Sequence, residues 1–172
     1  MRRRGRSMLM MTLLGLSLMA VPAYAEEPTD LAIEISDEDV QGWPVLDRVT
    51  SPDFGITPYG DYLAHGGCSL TKIANTVVQI DGYTNCYETC DEIYLGLFLD
   101  RQEDDGTWQT IYIKELSGEN AVTLTYHQNV LVKTGYWYRI RAGHAARKNG
   151  VVESNDSISP SMYFGPYPPP TS

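Results

Sequence analysis

Short runs of alternating apolar and polar residues, separated by turn residues, fill the chain from Gly67 to Ser157. The clearest run is 93–101, where one isoleucine and three leucines alternate with Tyr, Gly and Phe. A two-residue period places successive side chains on opposite faces of a strand. Outside the N-terminal apolar segment, no helical period persists over ten residues. The pattern therefore predicts an all-β domain.

Turn signals indicate how many strands the domain has. Asp105-Gly106 and Asn149-Gly150 are typical of tight hairpins, and Ser117-Gly118 indicates a further turn. The intervening runs predict about seven strands, with turns roughly every 8–12 residues, as in antiparallel sandwiches. In chain order these runs are 68–73, 77–83, 93–101, 108–114, 121–126, 136–142 and 151–157. We therefore expect an immunoglobulin/fibronectin-III-like sandwich over 67–165.

The first 25 residues have the pattern of a secretory signal peptide. Four arginines precede a largely apolar run, Met8–Ala20, and an Ala-Tyr-Ala cleavage signature follows at 23–25. A membrane-spanning helix needs about 20 apolar residues, so this run is too short to be an anchor. We expect cleavage before Glu26, secretion, and no membrane anchor in the mature chain.

The net charge of −9 is unevenly distributed along the chain. Without the signal arginines the net charge is −13, of which −9 falls on residues 26–66 and −4 on the remainder. This balance argues against nucleic acid as the main partner, since phosphate binding needs a basic face.

The acidic segment 26–66 contains four prolines and is predicted to be an extended, mobile arm. The alternative is a docking arm, in which Trp43, Val45, Leu46 and Phe54 pack onto the domain or a partner. Proline-rich residues 166–172 predict a short extended tail.

Residues 136–142 alternate Tyr, Tyr, Ile and Ala on one face with Trp and two arginines on the other. This alternation resembles the penultimate strand of fibronectin type III domains, which implies that the arginines project outward. Glu153 on the next strand is placed to pair with one of them.

Residues 58–160 are similar to uncharacterised small secreted proteins of Gram-positive bacteria. The resemblance implies the fold and export, and none of its motifs is catalytic. The similar pieces are 58–63, 91–101, 105–110, 135–141 and 152–154.

The chain has three cysteines, at positions 68, 86 and 90. In the oxidising compartment that export implies, a disulfide is expected, and the odd number leaves one thiol unpaired. A Cys86–Cys90 disulfide is predicted, because a hairpin near Ala74 places Cys68 opposite roughly residue 80, too far from Cys86. Cys68–Cys86 is the alternative. In the favoured pairing Cys68 is a buried strand residue or an intermolecular link.

Few residues indicate catalysis, a metal or a cofactor. A Cys–His nucleophile can be drawn only from Cys68 with His144 or His127, and no nucleophile, zinc or phosphate-loop signature accompanies it. The acidic cluster at 100–105 suggests calcium, although a solvated hairpin tip explains it better. We therefore predict no catalytic, metal-binding or cofactor-binding site, and no cofactor.

An aromatic and arginine-rich face is the candidate interaction site. If strands 93–101 and 136–142 are neighbours, their outward sides share one patch, which consists of Tyr94, Phe98, Trp137, Arg139 and Arg141. Such side chains anchor protein or glycan partners, although they also form self-contained cation–π ladders. The sequence thus predicts a secreted, non-catalytic module that binds an extracellular protein or glycan. The alternative is a secreted enzyme or enzyme inhibitor with an unrecognised site.

Overall fold

The computed structural model describes residues 32–52 and 60–166, which form an antiparallel all-β fold. The predicted signal peptide 1–25, Phe54 and residues 167–172 of the tail lie outside this range. The strands are β1 (Ile33–Ile35), β2 (Asp47–Thr50), β3 (Leu63–Ala74), β4 (Val77–Gln102), β5 (Trp108–Leu131), β6 (Tyr136–Lys148), β7 (Val151–Ile158) and β8 (Met162–Phe164). A 3-10 turn spans Glu38–Val40.

The strands form one continuous hydrogen-bonded sheet. Its main path runs β1-β5-β4-β3-β2, and β6 joins the second half of β4. Both β7 and β8 pair with β6. No helix within the described ranges is long and apolar enough to cross a membrane.

Two strands are far longer than the sequence predicts. β4 joins the predicted strands 77–83 and 93–101, and β5 joins 108–114 and 121–126. The predicted turn at Ser117-Gly118 is wrong, since β5 passes through it. Asn85 pairs with Thr123 and Cys90 with Ala121, so four residues of β4 bulge opposite one residue of β5. A bulge bends a strand and increases its twist while pairing resumes beyond it.

The bent strands curl the sheet onto its own concave face. β3 is hydrogen-bonded to β2 and β4 but also packs against β6 and β7. Side chains from both halves meet in one core cluster, including Leu70, Ile80, Leu97, Tyr138 and Ile140, each wholly buried. The all-β antiparallel class is confirmed. The predicted sandwich has two packed sheets, whereas this curled sheet resembles half a barrel.

The described part of the acidic arm is hydrogen-bonded to the sheet, in contrast to the mobile spacer that its composition predicts. β1 pairs with 129–131 of β5, and β2 pairs with 69–72 of β3. Trp43, Val45 and Leu46 remain largely exposed. The arm therefore docks through backbone pairing at two strand edges, while these apolar side chains stay in solvent.

Glu153 closes the curl by binding the start of β3. Its carboxylate accepts backbone N–H hydrogen bonds from Asp61, Tyr62 and Leu63 at 2.7–2.9 Å, and not the arginine pairing that the sequence predicts. The bond from Leu63, followed by those from Tyr62 and Asp61, lowers the pKa of Glu153. A Cβ at Gly60 would collide with this carboxylate, which explains the glycine there.

Replacing Glu153 with Ala should lower the free energy of unfolding by about 2 kcal/mol, because three backbone donors lose a charged acceptor. Glu153→Gln should cost less, since its amide oxygen still accepts. Urea unfolding measures both, with Glu119→Ala on exposed β5 as the matched control. Equal stability of Glu153→Ala and the control would show that the three hydrogen bonds to Glu153 do not stabilise the fold.

Candidate functional site

β4 and β6 lie side by side and share an outward face. Phe98 pairs with Arg141, and Asp100 pairs with Arg139. Directly opposite residues of antiparallel strands share a face, so their side chains meet. The intervening β6 residues, such as Ile140, point into the core. The neighbouring strands that the predicted patch requires are therefore present.

Two arginines each stack on an aromatic ring on this outer face. The Arg141 Cζ lies 5.3 Å from the Phe98 ring centroid, and the Arg139 Cζ lies 4.1 Å from that of Trp108. We call this group, together with Asp100, the arginine ladder. Cation–π contacts at partly exposed sites contribute about 0.5–1 kcal/mol each. The contacts fix each guanidinium group beside a ring.

Asp100 is the anion that fixes the ladder. Its carboxylate receives bonds from Arg141 Nε at 2.6 Å, Arg139 Nε at 3.1 Å and the Thr110 hydroxyl at 2.7 Å. The side chain is almost completely buried. Burial opposes its ionisation, but the hydrogen bonds from Arg141, Thr110 and Arg139 outweigh burial and lower its pKa. Two arginines are thus held by one buried carboxylate.

The other two residues of the predicted patch have different surroundings. Tyr94 shares the outer face and donates its hydroxyl to Glu115 at 2.7 Å. Burial and this bond raise the Tyr94 pKa to about 12. Trp137 packs on Tyr163 of β8, with ring centroids 5.6 Å apart, and lines a separate cleft beside Lys72. The structure thus brings Tyr94, Phe98, Arg139 and Arg141 together where β6 lies beside β4, whereas Trp137 lies in the part of β6 that pairs with β8.

Sequence reasoning missed Asp100, Trp108 and Thr110 as members of this site. Asp100 belonged to an acidic cluster that suggested calcium or a solvated hairpin tip. The correctly predicted Asp105-Gly106 hairpin was the signal that could have found them. It pairs Gln102 with Trp108 and Asp100 with Thr110, so the start of β5 lies beside the end of β4.

Two shallow clefts lie beside the ladder on the same face. One of about 300 Å³ is bordered by Phe98, Arg141, Gly143, Asp156 and Ile158. The next along β6, of about 220 Å³, is bordered by residues that include Tyr94, Ala145, Arg147 and Val152. Both open where β6 carries only small outward side chains.

A buried histidine cluster occupies the inner face. The Thr84 hydroxyl donates to the Tyr94 carbonyl, so His144 Nδ1 donates to Thr84 Oγ1 at 2.9 Å. The other ring nitrogen, Nε2, then accepts from the Ser157 hydroxyl at 2.9 Å. Cys68 Sγ lies 3.5 Å from the same hydroxyl oxygen. The structure therefore brings Cys68 and His144 together through Ser157, as the Cys–His hypothesis requires.

The protonation states of this cluster do not suit an activated nucleophile. Burial raises the pKa of Cys68 to about 11 and lowers that of His144 to about 4. Both groups are therefore neutral near pH 7, whereas reactive cysteines are thiolates with a lowered pKa in partly exposed sites. His127 lies far along β5, between Asp81 (2.6 Å) and Asp37 (3.3 Å).

The predicted Cys86–Cys90 disulfide is wrong. All three cysteines are free and buried, and the cysteine pair stands 3.4 Å apart, beyond the disulfide-bond distance of about 2.05 Å. Cys86 is the first residue of the β4 bulge and Cys90 directly follows it, and both belong to a small core cluster with Leu63 and Ile93. Burial and the adjacent Cys90 raise the pKa of Cys86 to about 12. The two thiols pack as small apolar groups.

The acidic residues near the hairpin have separate protein partners. Glu103 pairs with Arg101, and Asp105 binds the Thr107 hydroxyl and amide. Among residues 32–52 and 60–166, no group of three or more His, Cys, Asp or Glu side chains is arranged to hold a metal ion.

Comparison with protein-family models matches residues 36–161 to a family of unknown function, DUF6147. The chain belongs to this family. The matched range contains the arginine ladder, the histidine cluster and most of the described acidic arm. The arm from Ser36 onward is thus part of the DUF6147 domain. No curated protein and no solved structure matches the chain.

Within the DUF6147 domain, Asp100→Asn should lower the free energy of unfolding by about 3 kcal/mol, since it leaves two arginines without their buried anion. Denaturant unfolding measures this loss. Asp104→Asn, at the exposed hairpin tip, is the matched control and should be nearly neutral. Equal unfolding free energies for the two variants would show that Asp100 does not stabilise the ladder.

The stability of the domain should fall between about pH 6.5 and pH 4 because of His144. As the pH falls through this interval, the imidazole is protonated in the unfolded chain but stays neutral in the folded one. The stability that depends on neutral His144 is therefore complete above the pKa of the unfolded chain and is lost as the pH approaches the pKa of the folded chain. The full loss is about 3 kcal/mol. Urea unfolding at several pH values measures it, and His144→Gln should flatten the profile. An unchanged slope in that variant would assign the effect to other groups.

Proposed function

We propose that this protein is an exported, non-catalytic binding module that recognises an extracellular protein or glycan through the outer face of β4 and β6. The proposal includes an immunoglobulin/fibronectin-III-like relationship for the curled sheet and a Gram-positive, secreted origin. It is carried by one observation, the arginine ladder: Arg139 and Arg141 are bonded to a buried Asp100 and stack on Trp108 and Phe98 at the surface.

Rigid aromatic and arginine side chains are effective binding anchors. Aromatic residues and arginine are enriched in protein interfaces, and tryptophan, tyrosine and arginine dominate their binding energy. Fixing them before binding reduces the conformational entropy that binding would otherwise cost. Arg139 and Arg141 are each bonded to Asp100 and stacked on a ring, so this entropy is lost on folding. Their partly exposed faces remain available to a partner.

The buried histidine cluster supports a non-catalytic role. His144 and Ser157 have the spacing of a general base and a hydroxyl nucleophile. Both side chains are almost wholly buried, and Cys68 beside them is a neutral thiol. The polar atoms satisfy one another across β3, β4, β6 and β7, which is a packing role.

A capture experiment tests the binding role. Immobilised protein comprising residues 26–172 is incubated with the culture medium and cell-wall fraction of the producing organism, and bound material is quantified. We expect saturable capture that Phe98→Ala or Trp108→Ala weakens about tenfold, the equivalent of 1.4 kcal/mol. Trp137→Ala, which alters the separate cleft, is the matched control. No capture, or capture unaffected by the ladder variants, contradicts the proposal.

Export is tested by N-terminal sequencing of the protein that accumulates outside the cells. The predicted first residue is Glu26, because cleavage follows the Ala-Tyr-Ala signature. A protein that stays in the cytoplasm, or one that begins before Ser7, contradicts cleavage at this site.

A further inference from the structure

The outer face of β6 has only small side chains in the middle of its second half. Its outward positions run Arg141, Gly143, Ala145 and Arg147, so two small residues lie between two arginines. At about 3.3 Å per residue the stretch is roughly 20 Å long. The two clefts beside the ladder follow each other along it. We call this depression the β6 groove.

Aromatic side chains of β4 form one wall of the groove. Gly96 is paired with Gly143, and a Cβ at Gly96 would approach the Tyr94 Oη to 2.9 Å and the Phe98 ring to 3.2 Å. The glycine thus allows both rings to lean over β4. At Gly143 such a Cβ would meet only Asp156 Oδ1, at 3.6 Å. The floor at Gly143 is therefore open.

The strand β7 forms the opposite wall with polar and apolar side chains. Asp156 is paired with Gly143, Ser154 with Ala145, and Ile158 with Arg141. A ligand in the groove thus meets a carboxylate and a hydroxyl from β7 opposite the β4 rings, with the Arg141 guanidinium stacked on Phe98 at one end. This combination presents hydrogen-bond donors and acceptors beside apolar ring surfaces.

The sheet geometry disfavours an extended peptide as the ligand. β6 pairs with β4 at residues 139–147 and with β7 at 141–148, so its backbone hydrogen-bonding groups are used on both sides. A peptide strand binds by adding to a free edge, and the groove floor offers none. Recognition here depends on side chains alone.

The carboxylates beside the groove outnumber its arginines and so disfavour a polyanion. Arg141 and Arg147 are offset by the carboxylates of Glu92, Glu115 and Asp156. Glu92 is already paired with Arg147 at 2.9 Å, and Asp100 with Arg141. The mature chain has a net charge of −13 as well. A ligand without negative charge that offers hydroxyl groups and apolar C–H faces fits this excess of carboxylates.

We infer that the β6 groove binds a neutral oligosaccharide, with the Tyr94 ring and the stacked Phe98–Arg141 pair against the sugar and Asp156 bonded to hydroxyl groups. The inference rests on the proposed binding function and specifies the chemical class of its ligand. Gly143 is then a specificity residue, because any larger side chain at this position fills the groove floor.

The test is a titration of ¹⁵N-labelled protein comprising residues 26–172 with three neutral hexasaccharides: cellohexaose, hexa-N-acetylchitohexaose and maltohexaose. We expect saturable shifts of the Gly96, Gly143 and Ala145 amides with at least one of them. A polyglutamate of similar length should cause none. No saturable shift with any of the three sugars overturns the inference, as does equal binding of polyglutamate.

Two variants connect binding to the groove. Gly143→Val should weaken sugar binding at least tenfold, and its φ lies outside the left-handed region, so valine is compatible with the strand. Ser117→Val, at an exposed outward position of β5 opposite Tyr94, is the matched control. Asp156→Ala should also weaken binding and keeps the test valid if Gly143→Val fails to fold. Unchanged affinity in Asp156→Ala, or in folded Gly143→Val, overturns the inference.

The capture experiment distinguishes the two proposals. If a partner is captured through the ladder while no sugar binds, the binding function stands and the oligosaccharide assignment fails. If neither the capture nor the titration gives saturable binding, both fail.

Discussion

A single sheet that has to bury its own apolar face is the constraint on which this structure depends. The strands present apolar residues mainly on one face, and the described residues include no α-helix to cover it. The bulge at residues 86–89 bends β4, and the sheet folds over so that β3 meets β6 and β7. Glu153 then joins β7 to the start of β3 through three backbone N–H groups. Burial of the inner face provides the driving force, and the bulge and Glu153 determine the shape.

The curl also determines what the two faces of the sheet can do. The inner face of β6 contacts β3, so His144 and Cys68 meet there in a buried, neutral cluster. The outer face of β6 remains open, and its arginines stack on rings from β4 and β5 around Asp100. Alternation along one strand thus places the inner side chains in the core and the outer ones at the surface.

Local patterns predicted much of the fold and part of the site. The alternation in 93–101 and 136–142 correctly separates inward from outward residues, because side-chain direction in a strand depends only on sequence parity. The hairpins at Asp105-Gly106 and Asn149-Gly150 are confirmed, with glycine at positive φ in both. The turn at Ser117-Gly118 is wrong because pairing with β4 keeps both residues extended.

What sequence reasoning missed depends on contacts between distant residues. A composition rich in acid and proline predicts a mobile arm, but free strand edges on β3 and β5 supply its backbone groups with partners. A loop between strands was expected to join Cys86 and Cys90, whereas the bulge turns both thiols into the core. Asp100 belongs to an acidic cluster in sequence, and only pairing with β6 gives it two arginines.

The sequence by itself determined the strand class, the facing of each strand and two of the turns, because these follow from side-chain period and local backbone preference. Only the tertiary structure decided that one sheet curls, which carboxylate holds the arginines, and where an open groove lies. Those features arise from register and bending, which depend on residues up to about ninety positions apart, as Glu153 and Leu63 are.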